Sequence, residues 1–160
     1  MSFQTNEPPG SAFRILAPNP ITHHMDAMSC TEPSPAEFEE AARHVVSSLP
    51  SEFREQLAHV ALKVDEFASA EQLASVDIAN RWELSGLYEG VPLTERSSWA
   101  SGDMPPVISL FRQPLLLEMR ETGVGFEELV RHVVIHEAGH HFGFSDDEMH
   151  ALEDSVGDCP

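Results

Sequence analysis

The sequence is poor in cysteine, lysine and arginine. It holds two cysteines in 160 residues, Cys30 and Cys159, which are far apart in the chain and show no Cys-x-x-Cys spacing. Neither a disulfide framework nor a thiolate zinc knuckle is supported, because both need cysteines in closer or more numerous sets. This cysteine usage fits a reducing compartment best, and we therefore expect a cytoplasmic protein.

Positive charge is scarce as well. Nine Lys and Arg residues stand against 27 Asp and Glu, which gives a net charge of -18. Such a chain repels nucleic-acid phosphate and anionic membrane surfaces. No stretch approaches the roughly 18 apolar residues of a membrane span, and the N-terminus lacks a basic start followed by an apolar core. We expect neither nucleic acid nor membrane among the partners, and a monomer is the favoured state.

The length allows one domain with one hydrophobic core. Residues 1–33 hold five of the twelve prolines and little apolar periodicity, a composition that buries too little surface to offset chain entropy. We interpret them as a mobile, proline-rich N-terminal tail. Regular structure is expected to begin at Ser34, which can cap a helix that has Pro35 at its first position and Glu37 in a capping box. The folded domain then covers residues 34–157.

Helical and extended segments alternate along that domain. The alternation of Val60, Leu62 and Val64 with polar or small residues predicts a strand. Two further extended segments are predicted at residues 84–94, where glycines interrupt the pattern, and at residues 106–111, where a proline stands at the start. Helices are predicted at residues 35–49, 53–57, 69–74, 114–122 and 126–142. The last of these is apolar on more than one face, which places it in the middle of the core.

The last long helix carries the candidate metal site, His136-Glu137-Ala138-Gly139-His140. Residues four apart lie one turn apart on nearly the same helix face, so His136 and His140 can present two imidazole nitrogens to one ion. Glu137 is rotated by about 100° from His136 and falls beside the ion, where it can reach a metal-bound water. A His-Glu-x-x-His spacing alone is a modest signal in a chain with nine histidines.

A catalytic zinc ion needs a third protein ligand and one open position. Gly143 can adopt the left-handed conformation that ends the helix and turns the chain back toward the ion. Asp146 is our choice for the third ligand, with Asp147 as the near alternative. This continuation makes the motif far more specific than its first five residues, and it predicts a single zinc ion held by His136, His140 and Asp146.

Other histidines receive different interpretations. His132 lies one turn before His136 and is expected to line the cleft or support a ligand. His141 points away from His136 and is most simply a hydrogen-bonded structural histidine. His150 is expected at the surface. A minor alternative is that His23, His24 and Cys30 cap the metal from the tail.

The string Val133–Asp146 resembles that of the minimal zincins, a bacterial metallopeptidase-like family with a His-Glu-x-x-His-x-x-Gly-x-x-Asp signature. Residues 84–96 (LSGLYEGVPLTER) and 106–115 (PVISLFRQPL) are similar to two other segments of that family, so the likeness runs from about Pro35 to Leu152. The resemblance implies an α+β, zincin-like fold, in which a small mixed sheet packs against a central motif helix with additional helices around it. It also implies His136, His140 and Asp146 as ligands and Glu137 as general base.

The function that follows is that of an enzyme, a zinc-dependent peptidase acting on peptide or protein substrates. Zinc would lower the pKa of its water from about 15.7 to near 7, and Glu137 would take the proton as that water attacks a peptide bond. Tyr88 is a candidate second donor to the oxyanion, and residues 107–111 are a candidate sheet edge for peptide pairing. Two alternatives stay open: a non-catalytic, zinc-stabilised protein-binding module, and a hydrolase of small amides or esters.

Overall fold

The computed structural model describes residues 12–14, 31–96 and 104–149. Within them lie four strands, five α-helices and a further helical turn at residues 146–149. The strands are β1 (Ala12–Arg14), β2 (Ala61–Asp65), β3 (Leu84–Glu89) and β4 (Val107–Phe111). The helices are α1 (Pro35–Ser48), α2 (Ser51–Leu57), α3 (Ala70–Ser75), α4 (Arg112–Thr122) and α5 (Phe126–His141). Short 3-10 helices cover Arg81–Glu83 and Leu93–Glu95. Of the helices in these ranges, none is long and apolar enough to cross a bilayer.

The four strands form one mixed sheet in the order β1-β3-β4-β2. β4 runs antiparallel to β3, with Ile108 opposite Tyr88, and parallel to β2, with Ile108 opposite Leu62 on that side. β1 pairs antiparallel with the other side of β3. The fold class is therefore α+β with a small mixed sheet, as the sequence predicted.

The position of β4 corrects one expectation. Residues 107–111 were a candidate sheet edge for peptide pairing, but β4 lies between β3 and β2 and has neighbours on both sides. Its apolar run explains this placement, since Ile108, Leu110 and Phe111 are all buried and a strand covered on both faces has a continuous apolar sequence. Among the described strands, β1 and β2 are the two edges.

The N-terminal segment also differs from the expectation. Regular structure does not first appear at Ser34, because Ala12–Arg14 already forms a strand of the sheet. Ordered contacts also precede Ser34: the Glu32 carboxylate lies 3.1 Å from Arg120 Nη1, and Arg112 Nε donates to the carbonyl of Pro33. Three residues are too few to show strand alternation in a sequence. Whether the remainder of residues 1–33 is mobile stays a prediction.

Helix α1 begins as the sequence predicted. Glu37 N donates to Ser34 Oγ, and Ser34 N donates to Glu37 Oε2 at 2.6 Å, which is a capping box with Pro35 at the first position. Its buried face, formed by Phe38, Ala42 and Val45, packs against α5.

Helix α5 packs against α1 and against strands β3 and β4, and α1 in turn contacts β2. Val130, Val133 and Val134 have no exposed surface, so the helix is covered on more than one face. The motif helix is therefore held by packing on several sides.

A second apolar cluster lies on the opposite face of the sheet. Leu87 belongs to this cluster, whereas its neighbour Tyr88 belongs to the cluster around α5, and successive side chains of a strand point to opposite faces.

Candidate metal centre

The C-terminal half of α5 presents two imidazoles to one point. The ring centroids of His136 and His140 lie 4.8 Å apart, as expected for residues one helical turn apart. Both rings are inside the protein, with 3% and 4% of the side-chain surface exposed. The surrounding core therefore restricts their rotamers and fixes the direction of their Nε2 atoms.

The end of α5 turns the chain back toward these rings. Gly143 has φ +88°, a conformation that costs glycine little and other residues more. The N–H of Gly143 donates to the carbonyl of His140 and the N–H of Phe144 donates to that of Gly139, which together form a Schellman motif. A Cβ at Gly143 would lie 2.8 Å from Thr94 Cγ2, so space as well as backbone conformation requires glycine here.

A new helical turn starts immediately after this reversal. Glu148 N donates to Ser145 Oγ and Ser145 N donates to Glu148 Oε2, so Ser145 opens the turn with its own capping box. Residues 146–149 are helical. The capping box places Asp146 in the first position of the turn, facing the end of α5.

Asp146 completes a group of three donors. Its Oδ1 lies 3.3 Å from His136 Nε2 and 3.3 Å from His140 Nε2. One donor atom from each of the three residues falls within 4.8 Å of the others, and Asp147 does not belong to this group. The structure thus brings together the three residues that the sequence suggested as ligands and separates Asp146 from its neighbour.

This donor set fits zinc. Ligands at about 2.0–2.1 Å in a tetrahedron are about 3.3 Å from one another, which equals the two distances between Asp146 and the imidazoles. Burial is the main cause that lowers the pKa of His136 to about 4, and the nearby His140 lowers it further. Burial also lowers the pKa of His140. Both rings are therefore neutral near pH 7, and neutral imidazole is the form that binds metal.

Glu137 lies on the side of α5 that faces β3 and is completely buried. It is close to Gly86 of that strand: a Cβ at Gly86 would lie 3.3 Å from Glu137 Oε1 and 2.6 Å from Val133 Cγ1. Glycine at this position is what allows β3 to approach the helix. Sequence reasoning missed Gly86, although a glycine inside a strand pattern is a known sign of close approach between backbones.

Met149 is a second residue that sequence reasoning missed. It is buried, and its thioether fills the space that a Cβ on Gly139 would occupy, with Cε 2.6 Å from that position. Met149 therefore anchors the turn that carries Asp146 against the motif helix. The anchor matters because the Asp146 side chain itself is 61% exposed and has little packing of its own.

His141 is the structural histidine that the sequence predicted. Its ring is buried, with Nδ1 2.8 Å from the Tyr88 hydroxyl and Nε2 3.3 Å from the carbonyl oxygen of Gln56. Because a carbonyl only accepts, Nε2 carries the proton of the neutral ring and the hydroxyl donates to Nδ1. Burial lowers the pKa of His141 and raises that of Tyr88.

The hydrogen bond to His141 argues against Tyr88 as the second oxyanion donor. Its hydroxyl is buried and also lies 3.2 Å from the carbonyl oxygen of Val91, so the proton is directed into the core. Tyr88 is instead a buried aromatic side chain that packs against His141. His132 is half-buried with its ring centroid 6.4 Å from that of His136, and its supporting role stays a prediction. His23, His24, Cys30 and His150 lie outside the described residues.

Comparison with protein families identifies the group to which these features belong. The profile of the zincin-like metallopeptidases matches residues 57–156, well over half of the chain. The chain is a member of the zincin-like metallopeptidase family. The match begins at Leu57 and not at Pro35, where we expected the likeness to begin, so α1 lies outside it. A comparison with curated proteins gave no significant match.

Proposed function

We propose that this protein is a zinc-dependent peptidase in which His136, His140 and Asp146 hold one zinc ion and Glu137 is the general base. The observation that carries the proposal is the position of Asp146, whose carboxylate lies 3.3 Å from both imidazole Nε2 atoms. Two nitrogens and one carboxylate leave a fourth tetrahedral position for water or substrate, as in catalytic zinc sites. Membership of a metallopeptidase family supports the same chemistry.

Zinc in this position would supply a Lewis acid that lowers the pKa of water to about 7 and polarises a carbonyl. The protein supplies the proton transfer. Glu137 follows His136 directly in α5, and its burial excludes bulk water from its carboxylate. It accepts a proton from the attacking water and returns it to the leaving amine, a role typical of a positioned carboxylate. Substrate would reach the site from the side of Asp146, whose side chain is 61% exposed.

The burial of Glu137 favours catalysis over a structural metal site. An apolar side chain of similar size would pack in the core at least as stably as a carboxylate, even one that has a partner there. A metal site that only stabilises the fold has no need of a carboxylate at position 137. Glu137 is nevertheless fully buried beside the two histidines.

The test is the substitution Glu137→Gln, with digestion of a peptide library followed by mass spectrometry. We expect this variant to keep one zinc ion per chain and to lose hydrolysis at least 100-fold, the minimum usual for a general base. Asp147→Asn is the matched control, because Asp147 is an exposed carboxylate outside the donor group. Addition of a chelator should abolish cleavage by the wild type. Full activity of Glu137→Gln would refute the assignment of the base, and chelator-resistant cleavage would refute the role of the metal.

A further inference from the structure

One face of α5 is turned toward strand β3. Residues four apart in a helix lie on the same face, so Val133, Glu137 and His141 follow one another along it. A Cβ built on Gly86 of β3 would lie 2.6 Å from Val133 Cγ1 and 3.3 Å from Glu137 Cγ. His141, one turn further, is reached by Tyr88, whose hydroxyl lies 2.8 Å from its Nδ1. The strand therefore contacts this face of the helix at three successive turns.

The strand and the helix advance by nearly the same distance between these contacts. Gly86 and Tyr88 lie on the same side of β3, because side chains alternate along a strand, and they are about 6.6 Å apart along it. Glu137 and His141 are one turn apart, about 6 Å along the helix axis. The contact of Gly86 with Glu137 and the hydrogen bond of Tyr88 with His141 therefore belong to one alignment. A slip of α5 along β3 that broke the hydrogen bond would also displace the contact at Gly86.

The hydrogen bond between Tyr88 and His141 is buried and directional. The two residues have 5% and 1% of their surface exposed. His141 Nε2 donates to the carbonyl oxygen of Gln56 in α2, so Nδ1 is the acceptor that the ring presents to Tyr88. The imidazole is thus held by α2 on one side and by β3 on the other. Loss of the hydroxyl would leave a buried acceptor without this partner, which makes the arrangement costly to change.

Glu137 depends on this alignment more than the candidate metal ligands do. Its Oε1 lies 3.3 Å from the position of a Cβ on Gly86, so the backbone of β3 limits the conformations that its side chain can adopt. His136 and His140 lie about 60–100° around the helix from it, on the face that Asp146 approaches. A shift of β3 relative to α5 therefore affects the carboxylate of Glu137 and leaves the donor group in place.

We propose that Tyr88 and His141 are positioning residues of the peptidase. Their hydrogen bond fixes α5 along β3 and so holds the Glu137 carboxylate in the conformation that accepts the proton. Both residues act through Glu137, and neither belongs to the donor group. The inference rests on the proposed peptidase function for its effect on turnover, whereas the alignment itself is a property of the folded protein.

The alignment is measured by NMR on the full-length, zinc-loaded protein. In the wild type we expect a strong nuclear Overhauser effect between a Gly86 Hα and the Glu137 Hγ protons, because one Hα points where a Cβ would lie 3.3 Å from Glu137 Cγ. The nitrogen chemical shifts of the His141 ring should show the tautomer that is protonated at Nε2. The Overhauser effect should weaken in Tyr88→Phe. Its absence in the wild type, or equal strength in Tyr88→Phe, would overturn the inference.

The matched control is Val76→Ala. Val76 is buried in the second apolar cluster, on the face of the sheet opposite α5, so this substitution removes core volume without a change at Tyr88 or His141. It should lower Tm and leave the Overhauser effect between Gly86 and Glu137 at its wild-type strength.

Kinetics at saturating zinc test what the alignment does. Tyr88→Phe should lower kcat about 10–100-fold, the cost of a reacting group displaced by about 1 Å, with KM and zinc affinity within about threefold of the wild type. A loss of kcat at constant KM indicates an interaction that acts in the transition state and not in substrate binding. Val76→Ala should keep the wild-type kcat at a temperature where it is folded.

Two substitutions of His141 separate position from stability. His141→Gln keeps one acceptor and one donor, so it should retain more of the wild-type kcat than His141→Leu, which has neither. The combination of Tyr88→Phe with His141→Leu leaves neither member of the pair as an unpaired polar group. It should recover Tm relative to Tyr88→Phe without recovering kcat, and it provides the same test if Tyr88→Phe alone folds poorly. Recovery of kcat together with Tm would show that the pair only stabilises the fold.

The outcomes also distinguish this inference from the proposed function. Wild-type kcat in Tyr88→Phe, or a loss that appears in KM alone, would exclude the positioning role and leave the peptidase function intact. If no form of the protein cleaves peptides, the proposed function fails. The Overhauser effect between Gly86 and Glu137 then still decides whether Tyr88 and His141 set the alignment.

Discussion

The contact between Gly139 and Met149 gives a direct test of how Asp146, the proposed third ligand, is held in position. In the variant Gly139→Ala the new Cβ would overlap Met149 Sδ and lie 2.6 Å from Cε and 3.3 Å from Cγ. These atoms form the end of a flexible side chain, so Met149 moves and the helix stays in place. The turn at residues 146–149 then loses its anchor in the core, and Asp146 loses its fixed position beside the imidazoles.

The size of the effect follows from three terms. Alanine in place of glycine favours the helix by about 0.8–1 kcal/mol, whereas partial exposure of a buried Met side chain costs up to about 1.5–3 kcal/mol. The net loss of folding free energy is therefore at most about 0.5–2 kcal/mol. Residues that orient a metal ligand contribute about 10–100-fold in metal affinity, which equals about 1.4–2.7 kcal/mol. Zinc affinity should fall more clearly than the stability of the metal-free protein.

The assay is a competition titration against a chromophoric zinc chelator, with urea unfolding of the metal-free protein as the measure of stability. The variants Gly139→Ala, Met149→Ala and their combination form a double-mutant cycle. If Gly139→Ala acts by displacing Met149, the double variant should bind zinc about as weakly as Met149→Ala alone, because one contact cannot be lost twice. Met149→Leu keeps the apolar volume and serves as control. Zinc affinity of Gly139→Ala within twofold of the wild type, or additive losses in the double variant, would refute the anchoring role.

Two further predictions concern the ligands. Asp146→Ala should lower zinc affinity by more than about 100-fold, because substitutions of residues that only support a ligand already cause losses of up to about 100-fold. Asp147→Ala should leave the affinity within threefold in the same chelator titration. Equal losses in the two variants would contradict the assignment of Asp146 as the ligand. Burial and the neighbouring His140 lower the pKa of His136 from 6.5 to about 4, so the unfolded chain takes up this proton before the folded protein does. In the metal-free protein, the part of the folding stability that depends on neutral His136 is therefore present in full above about pH 6.5. About 3 kcal/mol of unfolding free energy should be lost as the pH falls from 6.5 to 4. Urea unfolding at pH 7, 5.5 and 4.5 measures this loss, and a stability that does not change over the range would contradict it.

The features that the sequence predicted correctly arise from short-range physics. The capping box at Ser34 and the left-handed Gly143 depend on residues within about five positions of one another. The spacing of His136 and His140 depends only on the helical repeat. In each case the geometry is set by the local backbone, so a pattern in the sequence is enough to predict it.

The features that it did not predict depend on contacts between distant segments. Gly86 and Glu137 are 51 positions apart, and their contact depends on which strand packs under α5. The pairing of β1 with β3 joins residues 70 to 75 positions apart through backbone hydrogen bonds, which leave no mark on side-chain periodicity. Tyr88 was considered for the active site because it is the single tyrosine, but composition does not reveal that its hydroxyl faces His141. Strand order and side-chain direction need the three-dimensional arrangement.

The contact at Gly86 connects the metal centre to the sheet edge. Because Gly86 has no Cβ, β3 lies directly against Glu137 and Val133 of α5. The same close approach brings β1, the neighbour of β3, near the proposed general base, since residues paired across an antiparallel ladder are only about 5 Å apart. A larger residue at this position would push β3 away from α5. Glu137 would then lie farther from β3 and from any segment paired with that strand. One missing side chain thus allows the sheet to lie directly against the buried carboxylate that follows His136.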